Sequence, residues 1–141
     1  MIALVNSGQC YGVGYNKSGA VGIGEAPYCS TFTLIPGLID ICFVSAGQNI
    51  SMFIDKTKKL YSCGVAALHG NVDINNQMTP KIVSTFAEKP IIYVSCGFVH
   101  CAAIDGEGKL YTWGSNKFYQ LGHGDEVRMM CNFCIEKSKT T

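Results

Sequence analysis

Leu110-Tyr111-Thr112-Trp113-Gly114 repeats Leu60-Tyr61-Ser62-Cys63-Gly64 at an interval of 50 residues. Working outward, Val94-Ser95-Cys96-Gly97 repeats Val44-Ser45-Ala46-Gly47 at the same interval, and Ile104-Asp105 repeats Ile54-Asp55. Between 44–64 and 94–114, nine of 21 positions are identical without a gap. One step further back, Tyr11, Gly14, Asn16 and Lys17 match Tyr111, Gly114, Asn116 and Lys117. Gly22-Ile23-Gly24 likewise matches Gly122-His123-Gly124. A fixed period of this length marks an array of supersecondary units. The 141 residues hold about 2.8 of them, divided roughly as 1–47, 48–97 and 98–141.

Each unit reads as short strands. Ile41–Ser45 and Ile91–Ser95 are rich in β-branched and aromatic residues and run into a glycine. Ser51–Ile54 and Cys101–Ile104 form a second run. Asp55–Lys58 and Asp105–Gly108 have turn composition, and 59–63 and 109–113 return as a third strand. Strand, turn, strand and glycine-rich loop, with no helical period beyond room for a short turn, predict an all-β chain of antiparallel propeller blades.

Composition agrees. Glycine supplies 16 of the 141 residues, which suits many turns and not a helical bundle. Hydrophobic residues make up 48%, enough to exclude a disordered chain. Charged residues make up 15% and the net charge is +1, which removes any global electrostatic claim on nucleic acid or an anionic membrane. The longest mostly apolar run, Ile91–Ile104, is too short to span a bilayer and is interrupted by Ser95, Gly97 and His100. The first residues lack the basic region of a signal peptide. The expected compartment is the cytoplasm, with the nucleus as the alternative.

The third unit is the most complete. Gly97-Phe98-Val99-His100-Cys101-Ala102-Ala103-Ile104, then Gly108–Asn116, then Gln120-Leu121-Gly122-His123-Gly124-Asp125, resembles the repeat of the regulator of chromosome condensation family. The second unit departs from it, with Cys63 in place of tryptophan and Val-Ala-Ala-Leu-His-Gly after Gly64. The first has Val13 at the tryptophan position. The resemblance implies a β-propeller, commonly of seven four-stranded blades. Such a ring needs roughly 350 residues at this period, so the chain is expected to be a piece of a larger propeller completed by further blades. An open array exposes apolar faces and strand edges. The isolated chain is therefore expected to be marginally stable and to associate.

The repeat register gives most chemistry-bearing residues a structural role. Gly14, Gly47, Gly64, Gly97, His100, Trp113, Gly114, Gly122 and Gly124 are repeat positions, not catalytic ones. The eight cysteines include Cys10 where Leu60 and Leu110 stand, Cys42 for Ile92, Cys63 for Trp113, Cys96 for Ala46 and Cys101 for Ser51. Cysteine here substitutes for small or apolar residues, so reduced, mostly buried thiols are expected. Cys131-x-x-Cys134 offers two zinc ligands where four are needed, and a tail strand with two thiols is the simpler reading. His69 has no recognisable context, and His123 is expected to be exposed in its glycine turn. Asp55 and Asp105 are equivalent turn residues. Lys56-Thr57-Lys58-Lys59 fits a solvated hairpin tip, and the glycines of 19–24 fit a loop, since no Gly-Lys-Ser/Thr follows. No catalytic, cofactor or metal residue is assigned.

The family implies binding platforms: an exchange factor for the small GTPase Ran, chromatin-binding proteins, ubiquitin ligases with accessory repeats, and a plant UV receptor. The last needs clustered tryptophans, and Trp113 is the only one here. The reading is a protein-interaction scaffold without catalysis. The alternative is part of a guanine-nucleotide exchange factor with a small GTPase as partner. Neither direct nucleic-acid binding nor membrane insertion is expected.

Overall fold

The computed structural model describes residues 1–124 and the backbone of 129–135. Among the described residues, eleven strands form three antiparallel sheets. The first holds β1 (Ile2–Leu4), β2 (Cys10–Tyr15) and β3 (Tyr28–Leu34) in sequence order. The second runs β4 (Ile41–Ala46), β5 (Ile50–Asp55), β6 (Leu60–Gly64) and β7 (Gln77–Ile82). In the third, β8 (Ile91–Cys96), β9 (His100–Asp105), β10 (Leu110–Gly114) and β11 (Met129–Ile135) follow the same meander. A 3-10 turn at Ser84–Phe86 is the helical element among the described residues. The sheets do not begin at the repeat glycines: β4 precedes Gly47 and β8 precedes Gly97, so each four-stranded sheet draws its first strand from the preceding stretch of sequence.

The repeat is one of backbone as well as of sequence. Ile54 pairs with Leu60 as Ile104 pairs with Leu110, and Ser51 with Cys63 as Cys101 with Trp113. The register breaks at Gly12/Gly14, Ser62/Gly64 and Thr112/Gly114, one bulge in each sheet. The bulge glycines Gly14, Gly64 and Gly114 have φ of 117°, 131° and 104°, backbone that a side chain strains. A second bulge turns out one residue of the first strand, at Ile41/Phe43 and at Ile91/Tyr93. That bulge explains why Cys42 is exposed, against the expectation drawn from its exchange with Ile92.

The sheets stack as blades. The six residues of β5 are all buried, whereas its counterpart β9 alternates half-buried and buried. The middle blade is covered on both faces and the third on one. Ile50, Met52, Ile54 and Leu60 face the third blade, where Cys101, Ala103, Tyr111 and Trp113 meet them. Phe53 and Cys63 face the first, packed with Cys10 and Ile35. Full burial of each large aliphatic side chain contributes about 1.5–3 kcal/mol, so the two seams hold the array together.

Candidate binding end

The meander places the connections β2–β3, β4–β5, β6–β7, β8–β9 and β10–β11 at one end of the blades. Buried asparagines fix two of these loops. Asn16 accepts from the Val21 N–H at 2.9 Å and donates to the carbonyls of Gly24 and Ala26, both at 2.8 Å. Asn116 accepts from the Leu121 N–H at 3.0 Å. The Ser115 N–H donates to Val99 O at 2.7 Å, which ties the β10–β11 loop to the β8–β9 turn. The loops are thus held while their tips face solvent. Phe98 at 66% exposure and Phe118 at 77% stand out, with Tyr119 beside them. Lys117 Nζ lies 5.6 Å from the Phe118 ring centroid. On the first blade Tyr15 and Tyr28 meet edge-on at 5.6 Å, with Lys17 Nζ 6.0 Å from the Tyr28 ring. The same element therefore presents a lysine beside an exposed aromatic on two blades.

The middle blade has Ala66 where the other two have the asparagine, and its loop carries a buried His69 instead. Its loop is two residues shorter, and Gly70 takes the positive φ of Gly22 and Gly122. Ser62 Oγ donates to His69 O at 2.7 Å as Thr112 Oγ1 donates to Leu121 O at 3.0 Å, so His69 occupies the place of Leu121. The His69 ring is fully buried, accepting at Nδ1 from the Asn71 N–H at 3.1 Å and donating from Nε2 to Asn75 O at 3.0 Å. Burial holds its pKa below the usual imidazole range. Sequence reading found no context for His69, because the shortened loop puts it out of step with the other units. His100 packs its ring over Gly97 and is half-buried. His123 is also half-buried rather than exposed, since its Nε2 reaches Thr112 Oγ1 at 3.1 Å.

The remaining singled-out residues serve the seams and turns. Trp113 is fully buried and donates from Nε1 to Leu68 O at 2.7 Å. A Cβ on Gly47 would stand 2.2 Å from Gly97 O, so Gly47 lets the adjacent blades touch, while the bare Gly97 makes room for the His100 ring. Gly122 and Gly124 have φ of 75° and 85° in the β10–β11 loop. At the opposite end, Asp55 accepts from the N–H groups of Thr57 and Lys59 and from the hydroxyls of Thr57 and Tyr61. Asp105 repeats this with the N–H groups of Glu107 and Lys109 and the hydroxyl of Tyr111. Burial pushes both carboxyls up, but these hydrogen bonds outweigh it and hold both below the usual range. They lock hairpin turns. A cavity of about 300 Å³ beside Asp105, lined also by Lys89, Glu107 and Lys109, borders this lock. Lys56 at the neighbouring tip pairs with Asp40 at 3.0 Å. Among the described residues, no three His, Cys, Asp or Glu side chains converge as a metal site. Cys131 and Cys134 lie on β11, and their thiols fall outside the described residues.

Stacked four-stranded meanders meeting face to face along glycine contacts define blades of a β-propeller. Two matches to a family model described as the regulator of chromosome condensation (RCC1) repeat cover residues 91–120 and 107–134. Residues 91–134 thus carry this repeat. The chain is 28% identical to the human E3 ubiquitin-protein ligase HERC2 in an alignment of 133 residues that covers 89% of this chain and 3% of that protein. Against the ultraviolet-B receptor UVR8 of Arabidopsis thaliana the identity is 27%, over 89% of this chain and 29% of the receptor. Prp20p of Saccharomyces cerevisiae superposes with a TM-score of 0.84 at 21% identity, covering 99% of this chain and 36% of that one. The chain thus spans less than a third of the curated relatives named here.

Proposed function

We propose that this chain is a protein-interaction module that engages its partner through the loop end of the blades and carries no catalysis of its own. The observation behind this reading is the repeated presentation of a lysine with an exposed aromatic, Lys17 with Tyr28 and Lys117 with Phe118, on loops fixed by buried Asn16 and Asn116. Exposed apolar side chains gathered at one site are characteristic of interaction surfaces. Aromatic anchors set on rigid supports bind at low entropic cost. The paired lysines favour a partner segment that carries carboxylates. The cytoplasm remains the proposed compartment, with the nucleus as the alternative.

Partners identified by proximity labelling and then shown to bind the purified chain directly provide the test. Replacing Phe98, Phe118 and Tyr119 together by serine should weaken that binding at least tenfold with the melting temperature unchanged. Glu107→Lys at the opposite end should leave it intact. Equal binding by both variants would refute the reading. Guanine-nucleotide exchange is the competing reading, implied by the family resemblance; Prp20p is described with its binding properties to Gsp1p and histones. A likeness at that identity carries the fold alone. Accelerated GDP release from a panel of small GTPases would install exchange in place of the scaffold.

A further inference from the structure

Cys96 and Cys101 stand directly opposite each other across β8 and β9. The Gly97 N–H donates to His100 O at 2.8 Å, closing a hydrogen-bonded pair at the turn. The next pair along, Cys96 and Cys101, is therefore of the non-hydrogen-bonded kind, in which opposed Cα atoms approach to about 4.5 Å. Consistently, the Cys96 N–H turns away and donates to Ser45 Oγ at 2.9 Å on the neighbouring blade. Both side chains leave the same face of the sheet and enter the seam between the second and third blades. Cys101 is fully buried and Cys96 is half-buried, so Cys96 is the more accessible residue of the pair. The equivalent pair on β4 and β5 is Ala46 and Ser51, so the two thiols are particular to the third blade.

We propose that Cys96 and Cys101 form a reversible dithiol–disulfide site, with Cys96 as the attacking thiol, Cys101 as the resolving thiol and a small disulfide such as oxidised glutathione as the oxidant. Cys96 loses its proton to solvent and attacks one glutathione sulfur. That sulfur–sulfur bond breaks, and one glutathione leaves as a thiolate that takes up a proton. Cys101 then loses its proton and displaces the second glutathione from Cys96. Two protein thiols are oxidised by two electrons, and one glutathione disulfide becomes two thiols. The hydrogen bond from the Cys101 thiol holds Cys96 below the usual thiol range, while the same contact and burial hold Cys101 above it. The less buried member is thus the better nucleophile. Opposed Cβ atoms on paired strands lie about 4.5–5.5 Å apart, whereas a disulfide wants roughly 3.5–4.5 Å. Closure must pinch the strands, which makes the bond easy to reduce. It also withdraws the thiols from Ser45 O at 3.6 Å and Leu68 O at 3.8 Å, both on the middle blade. Oxidation therefore loosens the seam beside the Gly47–Gly97 contact.

Peptide mapping of the full chain equilibrated in glutathione buffers tests this. Residues 82–109 fall on one tryptic peptide, because Lys89 precedes Pro90. After quenching with an alkylating agent, that peptide should appear unalkylated and two hydrogens lighter than the dithiol, and should revert with dithiothreitol. Cys101→Ser should trap glutathione on Cys96, and Cys96→Ser should leave Cys101 unreactive until the chain is denatured. The wild-type map stands even if a variant misfolds. A peptide that stays a dithiol while Cys42 is glutathionylated would overturn the proposal. So would a disulfide joining Cys96 to Cys63.

Discussion

Gly114 and Gly108 both hold positive φ, at 104° and 82°, but their surroundings differ. A Cβ on Gly114 would stand 2.7 Å from Val99 O and 2.8 Å from His100 Cα, whereas nothing lies within 4 Å of one on Gly108. Gly108→Ala carries only backbone strain, on the order of 1 kcal/mol. Gly114→Ala adds a clash with backbone that cannot retreat, and its loss should reach about 3 kcal/mol by urea unfolding. Equal losses would show that contact is not what reserves the position for glycine. These glycines were legible because Gly14, Gly64 and Gly114 recur in one register. His69 was not, since its place is fixed by backbone contacts that a shortened loop hides from alignment. It supplies a separate prediction. Its folded pKa is depressed below 6.5, so the stability it supports is present above that value and lost as pH falls through it. His69→Leu should be less stable at neutral pH, with the Asn71 N–H and Asn75 O unpaired. Its stability should nevertheless vary less than wild type between about pH 7 and pH 5. A pH profile parallel to wild type would show that another group titrates there.

The two seams use the same strand position differently. Trp113 fills the space between the second and third blades, with Phe86 of the 3-10 turn at 5.9 Å and Tyr111 stacked edge-on against Phe86 at 5.0 Å. Cys63 fills the corresponding place between the first and second blades, with its thiol 3.9 Å from Ala20 O. Trp113→Ala should cost about 3–5 kcal/mol, since it opens a large cavity and leaves Leu68 O without the indole donor. Cys63→Ala should cost about 1 kcal/mol. Thermal melts of the two variants check the contrast, and similar losses would mean that the seams are equally packed. The strands, hairpins and bulge glycines could be read from the 50-residue register. The 3-10 turn could not be placed, because Phe86 belongs to a connection that the other units do not repeat. The binding end was half legible. Asn16, Lys17, Asn116 and Lys117 recur in sequence, but the exposure of Phe98 and Phe118 follows from loop geometry that composition does not encode.

The array shows a covered middle blade and two outer ones. β3 presents Phe32 and Leu34 to solvent, and β8 presents Ile92 and Tyr93. Surfaces of this kind on strands favour association between copies of the chain. The 141-residue chain should elute above its monomer mass in size-exclusion chromatography with light scattering, and Leu34→Lys should shift it towards monomer. A wild-type monomer at tens of micromolar would refute this. The contact between Gly47 and Gly97 reaches further than stability. Neighbouring blades of a propeller are wedges, and the number that closes a circle is set by how tightly their narrow edges meet relative to their broad ones. With Gly97 O only 2.2 Å from where a Gly47 Cβ would lie, even a methyl group there would prise the narrow edges apart. The hydrogen atom on the Gly47 α-carbon acts as a gauge of angular pitch, and a larger residue there would favour a ring of different order.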